Sequence, residues 1–171
     1  MILDLRPFET FPARILLEAE DGGLEIDYDG LCSVESIRAE LTAQKTGEEY
    51  FVQGKVSASV RLECARCTQE FAMDVSSEAG FIFCAEDSRK DDGDATDDED
   101  YVFFEGGVPM GDVSDIVRQA IILGIGLMPL CDADCRGMCQ TCGKNLNNDS
   151  CNCNQGITDE RWDDLRNLSD R

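Results

Sequence analysis

The stretch VSASVRLECARCTQEFAMDV, residues 56–75, reads as two β-strands turned back on each other around a pair of cysteines. Strict alternation over Val56, Ala58, Val60 and Leu62 puts four apolar side chains on one face of the first strand, the period-two signature of a half-buried strand. Working outward, EEYFVQGKV (48–56) continues that strand toward its start, and Gly22-Gly23, Gly30 and Gly47 break the pattern at intervals. Residues 33–45, 49–63 and 68–83 are expected as three long neighbouring antiparallel strands, joined by Thr46-Gly47 and by the turn from Cys64 to Cys67.

Beyond this region the composition changes. DDGDATDDED, residues 91–100, has seven acids in ten and nothing to bury, so a solvated, mobile loop is expected there. It lacks the D-x-D-x-D-G spacing and later glutamate of a calcium loop, so solvation or attraction of a cation-rich partner is the expected role. YVFFE (101–105) predicts a short strand. Residues 112–128 carry Val113, Ile116, Val117, Ala120, Ile121, Leu127 and Met128 at helical spacing, with Asp112 or Ser114 to cap the start and Pro129 to end it. A second, short helix is expected at the C-terminus, capped by Thr158, with Trp162, Leu165 and Leu168 on one side.

The chain has 171 residues, 42% of them apolar, which fits one domain with its own core. Charges at Asp4, Arg6, Glu9 and Arg14 interrupt the opening segment where a signal peptide needs an apolar run, so a cytoplasmic location is expected. The longest apolar run, AIILGIGLMPL (120–130), is well short of the roughly 20 residues that cross a bilayer, so no membrane partner is expected. Thirty-six acids against fifteen basic residues give a formal charge of −21. Such a charge disfavours binding of nucleic-acid phosphates over the whole surface and suits a basic partner.

Ten cysteines in a reducing compartment point to metal more than to disulfides. Eight fall in pairs: Cys64 and Cys67, Cys131 and Cys135, Cys139 and Cys142, Cys151 and Cys153. Zinc takes four ligands in a tetrahedron, and a two-residue gap lets both sulfurs of one tight turn reach the same ion. CQTCGKN (139–145) is the strongest element, because Gly143 can take the positive φ that closes such a knuckle, and Cys151 with Cys153 completes a four-thiolate set. Pairing Cys64 and Cys67 with Cys131 and Cys135 requires the hairpin turn to meet the end of the long helix. The pattern therefore leaves one or two zinc ions open. Arg66, Arg136 and Lys144 stand near these pairs as charge balance. Cys32 and Cys84 lie outside every pair and are read as small buried hydrophobes.

Other chemistries fit less well. Residues 135–142 match the C-x3-C-x2-C spacing of radical S-adenosylmethionine enzymes, yet only 29 residues follow Cys142, and the preceding region lacks alternating strands and helices. An iron–sulfur protein is the lesser alternative. A catalytic zinc site commonly includes histidine, and hydrolytic triads use it as base, but the chain has none. No enzymatic activity is expected. A redox-responsive zinc–thiolate module is the more serious alternative, since oxidation of thiolates ejects the metal.

LECARCTQEF (62–71), PLCDADCRGMCQTCGKNLNNDSCNC (129–153) and ITDERWDDLRNL (157–168) together resemble the bacterial and plastid YceD family, named for accumulation of the large ribosomal RNA. The resemblance implies a non-enzymatic factor needed for 23S ribosomal RNA to accumulate and for large-subunit assembly. Placed beside the charge, it implies a large-subunit ribosomal protein or a pre-ribosomal particle as partner, shielded by acidic surface that includes residues 91–100. Direct contact with ribosomal RNA, through Arg61, Arg66, Arg136 and Lys144, is the rival.

The expected architecture is thus α+β. A mainly antiparallel sheet or partial barrel spans 1–85, an acidic mobile loop 86–100, and a helix with a cysteine-rich zinc ribbon and terminal helix 101–171. All three parts are expected to form one folded unit.

Overall fold

A computed structural model describes residues 1–20, 23–85 and 101–153. The acidic segment 91–100 and the expected C-terminal helix around Trp162 lie outside the described residues. Seven strands and one helix are present among them: β1 (Ile2–Asp4), β2 (Ala13–Glu20), β3 (Leu31–Thr46), β4 (Glu49–Glu63), β5 (Glu70–Ala85), β6 (Tyr101–Phe104), β7 (Met110–Asp112) and α1 (Ser114–Ile125). The three long strands β3, β4 and β5 run antiparallel, as the alternation predicts.

Five strands form one sheet in the order β2-β3-β4-β5-β6, and β1 pairs with β7 in a small second sheet. The larger sheet is open, with β2 and β6 as its edges, so the partial barrel does not close. β6 runs parallel to β5, pairing Ile82 with Tyr101 through Ala85 with Phe104. The inward row of β4, Val52, Val56, Ala58, Val60 and Leu62, is buried together with Ile37, Ala39 and Leu41 of β3. Each large apolar side chain removed from water in this way contributes on the order of 1.5–3 kcal/mol.

The helix α1 covers this face with Val117, Ala120, Ile121 and Ile125. It ends at Gly126, whose φ of 77° turns the chain out of the helix. Leu127 and Met128, expected on the helix, therefore fall beyond it and are exposed. The stop is Gly126, three residues ahead of Pro129. At the start, Val113 and not Asp112 or Ser114 holds the N-cap position, and no side chain caps the helix; the Asp112 carboxylate, one residue earlier, accepts from the Ser114 amide at 2.9 Å and from its hydroxyl at 2.6 Å. Two further bonds strap the segment after β2 to the helix: the Tyr28 hydroxyl donates to the Gly126 carbonyl at 2.8 Å, and Arg118 Nε donates to the Glu25 carbonyl at 2.8 Å. At the other end of the core Tyr50, Phe83 and Phe104 form an aromatic group, with the rings of Phe83 and Phe104 4.8 Å apart.

Cys84 is buried as expected, but Cys32 is exposed. The β3–β4 register shifts between Leu31 and Ser33, leaving Cys32 without an opposing residue and turning its side chain outward. No helix among the described residues is long and apolar enough to cross a membrane.

Candidate metal centres

The β4–β5 hairpin ends in a tight turn from Cys64 to Thr68, closed by the Thr68 amide donating to the Cys64 carbonyl at 2.9 Å. After α1 the chain returns to this turn. The Ala65 amide donates to the Pro129 carbonyl at 2.9 Å, and the Met138 amide donates to the Arg66 carbonyl at 3.1 Å. Gly137, at φ 74°, sits so close that a Cβ there would lie 3.1 Å from the Arg66 carbonyl oxygen. The Arg66 guanidinium donates to the Cys135 carbonyl at 3.0 Å, so this arginine clamps the returning segment.

The result is a first group of four sulfurs: Cys64, Cys67, Cys131 and Cys135. The contact between hairpin turn and post-helix segment, which the spacing requires, is present. Cys64, Cys67 and Cys135 are buried, and the Sγ–Sγ separations are 3.7 Å for Cys64–Cys135 and 3.6 Å for Cys67–Cys131. Four sulfurs about 2.3 Å from a tetrahedral ion lie about 3.8 Å apart. The separations fit that cage and are far longer than the roughly 2.05 Å of a disulfide.

A second group joins Cys139, Cys142, Cys151 and Cys153, and in each group all four sulfurs lie within 4.8 Å of one another. Residues 138–145 form a miniature hairpin: Met138 bridges Asn145, the Cys139 amide donates to the Lys144 carbonyl at 2.9 Å, and the Gly143 amide donates to the Cys139 carbonyl at 2.8 Å. Gly143 takes a φ of 71°, as the knuckle reading expects. This group is more open than the first, with Cys142 exposed and Cys151 and Cys153 half-buried.

Each group combines acidic and resistant thiols. Burial pushes Cys64 up, but the amides of Cys131, Arg66 and Cys67 donate to its sulfur and bring it down to about 6. Burial and then the neighbouring Cys67 and Cys64 sulfurs push Cys131 up to about 12. In the second group the amides of Cys142 and Thr141 bring Cys139 down to about 6, while the Cys142 sulfur leads the effects that push Cys153 up to about 12. The main chain thus favours the first thiolates, and their charge then opposes the others. A cation at the centre removes that opposition. Each group can hold a metal ion.

Asn147 escaped the sequence reading. Its side-chain NH2 donates to the Cys135 sulfur at 3.3 Å, and its oxygen accepts from the Arg136 amide at 2.7 Å. The Cys135 thiol is lowered chiefly by this bond. Asn145 orients the same loop by accepting from the Asn147 amide at 2.9 Å and donating to Gln69 Oε1 at 3.4 Å. The asparagines of GKNLNN therefore lock the loop between Cys142 and Cys151 onto the first cage, and their density was the available signal. Arg61, expected in a basic patch, is paired with Glu35 at 3.0 Å.

An open, mainly antiparallel sheet whose terminal turn meets a cysteine-rich segment in one four-sulfur group, with a second such group in that segment, defines an α+β protein with two candidate metal centres. Residues 52–169 match the family model described as large ribosomal RNA subunit accumulation protein YceD, and the chain belongs to that family. Among relatives, a chloroplastic large ribosomal RNA subunit accumulation protein YCED homolog 1 of Arabidopsis thaliana is 36% identical over 73 residues, 43% of this chain and 23% of the relative. An uncharacterized protein of Mycobacterium tuberculosis is 32% identical over 157 residues, 88% of this chain and 66% of the relative. The Zea mays YCED homolog 1 is 29% identical over 126 residues, 60% of this chain and 43% of the relative. The chain thus spans about a quarter of the Arabidopsis relative and just under two thirds of the mycobacterial one. No solved structure gives a significant match.

Proposed function

We propose that the chain is a non-enzymatic factor that supports 23S ribosomal RNA accumulation and large-subunit assembly in the cytoplasm, its shape fixed by two structural zinc ions. Cys64, Cys67, Cys131 and Cys135 hold the first ion, and Cys139, Cys142, Cys151 and Cys153 the second. The observation that carries the reading is the first cage, which draws two ligands from the sheet's hairpin turn and two from the segment after α1 and whose sulfur separations suit zinc. Family membership supplies the ribosomal connection. When bound, the ion neutralises the clustered thiolates and ties the two segments together. Cys135 is oriented by Asn147, and Arg66 holds the returning chain by its carbonyl.

The formal charge of −21 favours a basic large-subunit ribosomal protein, or the protein face of a pre-ribosomal particle, over bare RNA. Sedimentation of the tagged protein tests this. Co-migration with large-subunit precursors, with loss of 23S ribosomal RNA in a deletion strain, is the expected result, and migration only as free protein overturns it. Recovery of RNA fragments without ribosomal protein, lost on adding salt, favours RNA contact instead.

Exposure of Cys142 favours one second reading, a redox response at the outer cage. There hydrogen peroxide, taking up two protons, would oxidise two thiolates to a disulfide and be reduced to two waters, and the ion would lose two of its ligands and be released. Zinc release by mild peroxide from a protein that sediments alone distinguishes this reading.

A further inference from the structure

The two edges of the larger sheet are finished differently. β6 offers only four residues, whereas β2 offers eight in unbroken register with β3, from Ala13 opposite Ala43 to Glu20 opposite Ser36. No bulge interrupts that register, and no proline lies within β2. Among the described residues, no main-chain hydrogen bond leaves Arg14 through Ala19 on the side away from β3. A long edge of this kind is a template for another strand unless something blocks it.

The side chains of β2 say which strand fits. Arg14, Leu16, Glu18 and Glu20 face outward, while Ala13, Ile15, Leu17 and Ala19 face the core side, with Leu17 and Ala19 only half-buried. Leu16 is 48% exposed. Arg14 has no ion-pair partner among the described residues, although the chain carries more than twice as many acids as bases, and Glu18 is engaged by Arg38 of β3 through Oε1 alone, at 3.2 Å, which leaves its other carboxylate oxygen for a second cation.

We propose that the chain forms a twofold dimer in which β2 pairs antiparallel with β2 of a second copy, centred on Leu16. In that register Leu16 meets Leu16 of the second copy, and Arg14 meets its Glu18 twice over, once on each side of the axis. On the core side Ile15 meets Leu17 and Ala13 meets Ala19. Only registers centred on a residue keep outward side chains opposite outward ones. Moving the centre to Leu17 sets Leu16 against Glu18, and moving it to Ile15 sets Arg14 against Leu16. The Leu16 register alone gives every outward side chain from 14 to 18 a complementary neighbour. Cross-strand pairs of opposite charge and of apolar groups are the unit of sheet stabilisation, and an isologous interface must be self-complementary in this way. Pairing joins two five-stranded sheets into one continuous sheet and covers Leu16 and the half-exposed Leu17.

Sedimentation equilibrium of the full chain, with its metal retained, tests the proposal across a wide concentration range. A reversible monomer–dimer equilibrium is expected, and a protein that stays monomeric overturns it. R14E opposes glutamate to Glu18, and E18R opposes arginine to Arg14, so each variant alone should dimerise at least about tenfold more weakly. Mixed in equal amounts, the two variants set the acids of one copy against the arginines of the other on both sides of the axis, and a heterodimer should return. Both variants are changes at exposed side chains; E18R also breaks the exposed Arg38–Glu18 pair, so an unchanged far-ultraviolet spectrum and denaturation midpoint serve as the folding control for each. Wild-type-like dimerisation of either variant alone, or no recovery on mixing, places the interface elsewhere and refutes the β2 pairing.

Discussion

Asn147 and Cys135 are joined by a 3.3 Å bond from a side-chain amide to a sulfur, so a residue of the polar loop holds a sulfur of a group to which that loop contributes none. Partners of this kind fix ligand orientation and typically alter metal affinity by about 10–100-fold.

Asn147→Ala should therefore weaken the first cage and spare the second. Competition with a coloured chelator should show one ion per chain released about 10–100-fold more readily, the other unchanged. Equal weakening of both ions, or of neither, contradicts the assigned role.

Cys67→Ser removes one sulfur from the pair of segments held together by the first cage. One zinc ion per chain should be lost, and protease should cut more readily between Pro129 and Met138. The long strands should persist in the far-ultraviolet spectrum, because their register and core involve no cysteine ligand. Unchanged zinc stoichiometry would refute the cage.

Gly137→Ala should destabilise the protein by about 1–3 kcal/mol, read as a shift in the denaturation midpoint. A Cβ at φ 74° is strained in itself, and it would also press against the Arg66 carbonyl at 3.1 Å. The loss should be accompanied by easier zinc release, since the same contact seats the returning segment on the hairpin turn.

Asp112 makes part of the stability depend on pH. The Ser114 hydroxyl is the largest cause holding its carboxyl at about 2, below the ordinary 3.8, with the Met1 amino group and the Ser114 amide adding to the effect. A depressed carboxyl contributes stability above its unfolded pKa and loses it as pH falls through the folded value. The contribution should be complete above about pH 5 and fade between about 4 and 2. Asp112→Ala should cost about 1 kcal/mol at neutral pH, through loss of its bonds to Ser114 at a largely exposed site, and little at about pH 2. A cost independent of pH would contradict this role of the carboxylate.

The long strands were legible because alternation over Val56, Ala58, Val60 and Leu62 has one physical cause, a sheet with one face in the core. The antiparallel hairpins follow from turns only a few residues long. The pairing of β1 with β7 and the parallel run of β6 were not legible: these strands have three or four residues, and their partners are set by tertiary packing. Leu127 and Met128 misled because the helical spacing outlasts the helix, and Gly126 was the better stop signal. The grouping of the eight cysteines was visible in their paired spacing. The Asn147 bond depends on how the loop folds back.

The first cage also has a schedule. Its two halves are separated by the whole of β5 and α1, with Cys64 and Cys135 71 positions apart. On a ribosome adding about 5–20 residues per second, the hairpin half emerges roughly 4–14 s before its counterpart. During that interval the long strands can pair while Cys64 and Cys67 lack the two sulfurs that complete their group. On the proposed zinc-bound reading, the order of synthesis makes metal capture the last event of this part of the fold, and zinc starvation should leave chains with a finished sheet and a loose C-terminal segment.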